Sequence, residues 1–176
     1  MTSPRVEQFV ESPGITEQLQ ALAASAAKEL LEAYTVPATL VAGPWVETEE
    51  VLFTGVMGFV GEHIRGTCLI AAPMVTVVAS APENARPRDW VGELANQLVG
   101  RLKSKLLSRG ITIAVTTPIV LSGVRLQPLP RGSALPTTFE TPSGRVLVWL
   151  EVEVASELKL GSIQPLGVTE GDFIAF

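Results

Sequence analysis

Arg88-Asp89-Trp90-Val91-Gly92-Glu93-Leu94-Ala95-Asn96-Gln97-Leu98-Val99-Gly100-Arg101-Leu102-Lys103-Ser104-Lys105-Leu106-Leu107-Ser108 is the most informative stretch of the chain. Its apolar residues recur at helical spacing, which predicts one long helix over Arg88 to Ser108. Gly110 follows in the position of a helix-ending glycine. With about 100° of rotation per residue and Trp90 at zero, Trp90, Val91, Leu94, Ala95, Leu98, Val99, Leu102 and Leu106 fall in one half of the wheel. That half is the expected buried stripe. Asp89, Glu93 and Asn96 lie at about 260°, 300° and 240°, with Gly100 at about 280° beyond them. Two acids and an amide thus form a compact patch on the opposite face, bordered by Gly92 and Gly100. A glycine inside a helix costs about 1 kcal/mol against alanine, so two in one helix invite a reason, and close approach by another protein is one.

Outward from this helix, the rest of the chain narrows the choices. It has 176 residues, 13 Lys+Arg against 18 Asp+Glu, one His and one Cys. That length fits one domain with a sizeable core that needs neither disulfide nor structural metal. The net charge of −5 argues against a nucleic-acid partner, which would require a basic face. One Cys, Cys68, cannot form an internal disulfide, and with a single His it makes no metal cage; both features fit a reducing cytoplasm. Charged residues make up 18 %, below the usual globular share of about 25 %, and this shortage implies surface covered by a second copy of the chain. The richest apolar stretch, Thr67 to Pro82, is broken by Pro73 and falls short of the ~20 residues of a spanning helix. Met1-Thr2-Ser3-Pro4-Arg5 lacks the apolar core of a signal peptide, so a cytoplasmic protein without a membrane association is expected.

Residues 1–14 read as a lead-in. Ile15 to Tyr34 is a second long helix, with Leu19, Leu22, Ala23, Ala26, Ala27, Leu30 and Leu31 on one stripe and Pro37 beyond its end. Val51, Phe53, Gly55, Met57 and Phe59 alternate, Gly61-Glu62-His63 turns, and Ile64 to Ala71 returns as a hairpin partner. Pro73 to Ser80 is read as a short helix with Pro73 in its first turn, and Ala81 to Pro87 as a loop. Ile111 to Leu121 is a β-branched strand that Pro118 marks as an edge or a bulge. Val124 to Leu129 is a further short strand, Pro130 to Pro136 a loop. Thr137 to Glu140 and Arg145 to Val154 pair as a hairpin. The tail, 156–176, has no assigned role. Internal repeats and low-complexity tracts are absent from the sequence.

Each candidate residue also has a plain reading. Asp89 fits a helix cap or a partner of the helix dipole. Glu93 and Asn96 fit ordinary solvated surface, His63 an exposed hairpin residue, and Cys68 a packed, inert thiol. The sequence carries no Gly-rich phosphate loop and no Ser-His-Asp or Cys-His set. Spacing alone leaves the function open.

Asp89-Trp-Val-Gly-Glu93-Leu-Ala-Asn96 fits the D/S-x3-E-x2-N signature, and the chain thereby resembles the CheC/CheX/FliY family of bacterial chemotaxis phosphatases. That family also places a proline some twenty residues after the Asn, where Pro118 stands. Glu93 to Lys103, Leu107-Ser-Arg-Gly110 and Ile113 to Gly123 are similar to the family as well. The first helix carries no second copy of the signature, so the resemblance is to the CheX type, with one site per subunit. Gln97 and Arg101 depart from the pattern, standing where the family more often has an apolar residue and an Asn.

The resemblance implies an α/β (α+β) CheC-like fold over residues 15–155, two long helices packed on an antiparallel-rich sheet, and a CheX-type homodimer. It implies a phosphatase that hydrolyses the aspartyl phosphate of a CheY-like response-regulator receiver. The receiver brings its own divalent ion (Mg) and lysine, so the phosphatase needs no nucleophile, metal or cofactor of its own. Its task is to hold water in line with phosphorus, as a glutamine does in small GTPases. A carboxamide suits this because it both donates and accepts. Asn96 is thereby assigned to the water and Glu93 to an ion pair with the receiver's lysine. Asp89 contributes to docking, and Gly92 and Gly100 admit the receiver's loops. The alternative is a non-catalytic docking module on the same fold, binding a receiver or a flagellar switch component. A third reading, a small-ligand domain built on the apolar strands, needs a pocket that the sequence does not reveal.

Overall fold

Alternating apolar residues in the strands and apolar stripes on the helices meet in one layer of helices on one antiparallel sheet. The computed structural model describes residues 9–10, 13–41, 51–124 and 136–162. In chain order these form β1 (Phe9–Val10), α1 (Pro13–Ala33), β2 (Thr39–Val41), β3 (Val51–Gly61), β4 (Ile64–Pro73), α2 (Met74–Ser80), α3 (Pro87–Leu107), β5 (Ile113–Val115), β6 (Ile119–Val124), β7 (Thr137–Thr141) and β8 (Gly144–Ala155). The strand order is β2-β7-β8-β4-β3-β5, with β6 also on β3 and β1 on β8, every pairing antiparallel.

Strand residues alternate between two faces. Met57, Phe59, Cys68, Ile70, Val148, Leu150 and Val152 point to the helix side and join Leu19, Ala23, Ala26, Ala27 and Leu30 of α1 and the stripe of α3 in the main core. Leu52, Ala71, Leu147 and Trp149 form a smaller cluster on the far face. The alanines of α1 keep the two long helices close. The pair is further pinned by Lys105, whose Nζ donates to Glu29 Oε1 at 2.6 Å.

The two long helices and both hairpins stand where the sequence puts them, within two residues at their ends. Gly110 (φ +80°) ends α3 as expected: its N–H reaches Leu107 O at 2.9 Å, and Ile111 N–H reaches Leu106 O at 3.0 Å. Pro73 differs from expectation. It is the extended last residue of β4 and precedes α2 rather than opening its first turn. The expected strand Ile111 to Leu121 is two strands. Val115 pairs with Phe59 and Ile119 with Val56, so three residues (Thr116, Thr117, Pro118) stand opposite Met57 and Gly58. One extra residue is a bulge on the edge strand, which accommodates a proline that has no N–H to give.

Two short strands, β1 and β2, were not visible in the sequence. β1 falls in the lead-in, where Phe9 and Val10 pair with Ala155 and Val154. Of the tail, Leu158 is buried in the main core and Gly161 N–H reaches Arg109 O at 3.3 Å. Val124 closes β6. The remainder of the expected strand Val124 to Leu129 lies outside the described residues, as do residues 130–135 of the expected loop and 163–176 of the tail.

Candidate functional site

The start of α3 is anchored by its aromatic residue. Trp90 is buried, and its indole Nε1 donates to Ser80 Oγ at 3.0 Å while Ser80 Oγ donates to Val77 O at 3.0 Å. The Tyr34 ring meets Trp90 edge-on, with centroids 4.9 Å apart. These contacts tie α3 to α2 and to the end of α1, and so fix the rotation of the helix about its axis. Arg86 is the N-cap residue, without a side-chain cap bond, and Pro87 opens the helix. Asp89 therefore does not cap. It lies exposed in the first turn, where its charge complements the positive end of the helix dipole.

Further along, α3 rests directly on β3. A Cβ at Gly55 would lie 2.7 Å from Ala95 Cβ and 2.8 Å from Val91 O, so only glycine allows this approach. Val120, the cross-strand partner of Gly55, packs under Gly92, where an added Cβ would meet Val120 Cγ2 at 3.3 Å and Pro118 Cγ at 3.9 Å. Gly92 is thus buried, and the segment that closes on it is the chain's own bulge. Pro118 is brought against the turn of α3 that carries Glu93.

Asp89, Glu93 and Asn96 are all exposed on α3, while all eight residues of the expected apolar stripe are buried. Glu93 and Asn96, three apart on a helix, are neighbours on its surface. The Asn96 carboxamide takes no hydrogen-bond partner among the described residues. Glu93 Oε1 accepts from Gln97 Nε2 at 2.9 Å, and Gln97 Oε1 accepts from Arg101 Nη1 at 3.2 Å. Gly100 is exposed with open space where its Cβ would be. It borders a groove of about 530 Å³ between α1 and α3, lined also by Gln97, Arg101, Lys105 and Glu29. Lys105 beside Glu29 holds its carboxyl below the usual carboxylate range.

The remaining candidates stand apart from this patch. His63 lies in the β3–β4 turn with Nε2 3.9 Å from Glu62 Oε1. Cys68 is buried in β4, where loss of water pushes its thiol up to about 12. Among the described residues no group of three or more His, Cys, Asp and Glu could hold a metal ion, and no helix is long and apolar enough to cross a membrane. Other grooves, of about 550 and 600 Å³, lie around the Arg65–Glu153 pair on the far face of the sheet and beside Gly110. Neither contains Glu93 or Asn96. The connection from Glu93 through Gln97 to Arg101 was missed in the sequence, although its 93-97-101 spacing is the signal that would have shown it.

Residues 53–134 match the family model of the chemotaxis phosphatase CheX. No curated protein sequence matches the chain. Among solved structures, CheX from Vibrio vulnificus superposes with a TM-score of 0.65 at 19 % identity, over 77 % of this chain and 96 % of that one. A chemotaxis protein CheX from Desulfovibrio desulfuricans gives 0.62 at 18 %, over 76 % and 97 %. CheX in a CheX–CheY–BeF3–Mg complex from Borrelia burgdorferi gives 0.57 at 17 %, over 77 % and 96 %. At these identities the structures speak for the fold, which is CheC-like. The part of the chain that is similar to the chemotaxis phosphatase CheX, residues 53–134, holds both the Asp89-x3-Glu93-x2-Asn96 helix and the Pro118 segment closed against it.

Proposed function

We propose that the chain hydrolyses the aspartyl phosphate of a CheY-like receiver domain, as a CheX-type phosphatase with one site per chain. The observation that carries this reading is Asn96. Its carboxamide is exposed and unpartnered among the described residues, one turn from the exposed Glu93, on a helix whose other face is wholly buried. Water attacks phosphorus in line, the bond from phosphorus to the aspartyl oxygen breaks, the receiver's aspartate carboxylate is regenerated and inorganic phosphate leaves. Asn96 accepts from and donates to that water. Glu93 pairs with the receiver's lysine and fixes the docked register. Asp89 extends the acidic contact by one turn. Gly100 leaves the helix surface open beside Asn96, and Gly92 contributes by seating the Pro118 segment next to the site. In this reading the divalent ion is the receiver's. The chain acts as a homodimer in this reading, which the low charged share of the sequence supports.

The test is the decay of a phosphorylated receiver from the same genome, alone, with this protein, and with Asn96→Ala. Decay accelerates with the wild type, and the variant loses roughly 10²-fold or more of that acceleration, because a misplaced reacting group is that expensive. Tight binding without faster decay would replace this reading by the docking module. Absence of binding to any receiver would reject both.

A further inference from the structure

Glu93 is not a free carboxylate on a helix surface. A guanidinium only donates, so the Gln97 atom that faces Arg101 at 3.2 Å is the carbonyl oxygen. The amide NH2 is thereby turned toward Glu93, whose Oε1 it reaches at 2.9 Å. Arg101 itself reaches back along the helix, with Nη1 also 3.5 Å from Gln97 O, and its charge acts on Glu29 across the groove. The three side chains stand four residues apart, so each link spans one helical turn. The Glu93 carboxylate is held through one oxygen, and its second oxygen remains for a partner.

We propose that Gln97 is a positioning residue for the Glu93 carboxylate, with Arg101 fixing the orientation of the Gln97 amide. This rests on the reading of Glu93 as the group that pairs with the receiver's lysine. A glutamate side chain that is already ordered loses less freedom when it forms an ion pair, so the ladder acts on docking and not on the chemical step. Gln97 touches neither water nor phosphorus in this arrangement. Its signature is a change in the receiver concentration needed for half-maximal acceleration, at an unchanged maximal rate.

The experiment measures that concentration and the maximal rate for the wild type, Gln97→Met, Gln97→Glu, Glu93→Ala and the double variant Glu93→Ala/Gln97→Met. Methionine keeps the shape of glutamine without its donor, and the position is partly exposed, so the fold is retained. Gln97→Met raises the half-saturating concentration roughly 2- to 10-fold with the maximal rate intact. Gln97→Glu raises it further, because a second carboxylate repels Glu93. In the Glu93→Ala background Gln97→Met has no additional effect, since nothing remains to be positioned. A wild-type-like Gln97→Met overturns the proposal, as does an undiminished effect in the Glu93→Ala background, which would mean that Gln97 acts by itself. A wild type that leaves receiver decay unchanged overturns the phosphatase reading and the role of Gln97 with it.

Discussion

Single side chains in this protein are governed by which side of an element they occupy. Cys68 is 1 % exposed in the middle of β4, and burial raises its thiol to about 12. The thiolate is the reactive form, so at neutral pH the native protein is expected to resist thiol-labelling reagents. Labelling should become fast in denaturant; rapid stoichiometric labelling of the native protein would show that β4 opens. The inert thiol was readable from its apolar neighbours alone. The anchoring of Trp90 was not, because its partners Ser80 and Tyr34 come from α2 and the end of α1. Sequence spacing places the indole on the buried face but does not say which hydroxyl arrives to accept its proton. The Gln97 link was legible in principle, since i,i+4 spacing is local, and was obscured by treating Gln97 and Arg101 only as departures from a pattern.

For the elements, the decisive contact is α3 on β3. Two glycines of these elements, Gly55 inside the contact and Gly100 outside it, should respond oppositely to the same change. Gly55→Ala forces a Cβ to within 2.7 Å of Ala95 Cβ and 2.8 Å of Val91 O, so the helix must move or the strand must bend. Such overpacking is expected to destabilise by about 1–3 kcal/mol. Gly100→Ala meets open space in a helix interior and should stabilise by up to about 1 kcal/mol. Denaturant midpoints measure both; a neutral Gly55→Ala would mean that α3 is not seated as described. Periodicity found the buried half of α3 in full because that pattern is local. The division of Ile111 to Leu121 into β5 and β6 was out of reach. Its extra residue is defined by where β3 begins and ends its pairing, with Thr116 exchanging bonds with Gly58 (Thr116 N–H to Gly58 O and Gly58 N–H to Thr116 Oγ1, both 2.9 Å).

At the scale of the whole molecule, adjacent hairpins were legible and the order of the sheet was not. β3 with β4 and β7 with β8 join neighbours in the chain through tight turns, a local signal. The β4–β8 and β2–β7 pairings bring together distant segments whose partners no spacing rule names. The candidate site was legible for a different reason. Its three residues lie on one helix, and their recognition came from a signature rather than from geometry. The proposed homodimer belongs to this scale as well. β6 lies on the outer side of β3 and exposes Ile119 (62 %), Leu121 (48 %) and Val124 (57 %), apolar surface beyond what the low charged share already implies. Light scattering on the eluting protein should give about twice 18.7 kDa. A mass of one chain at micromolar concentration would remove the homodimer.

The division of α3 into a buried half and a bare half has a consequence for how such a protein changes over generations. The apolar stripe that seats the helix on the sheet faces inward, and Asp89, Glu93 and Asn96, the residues proposed for the reaction, face outward. On the proposed reading, one codon change at Asn96 silences the chemistry while scarcely touching the scaffold. A lineage can therefore give up the reaction, keep the recognition surface, and later retune either without refolding the molecule.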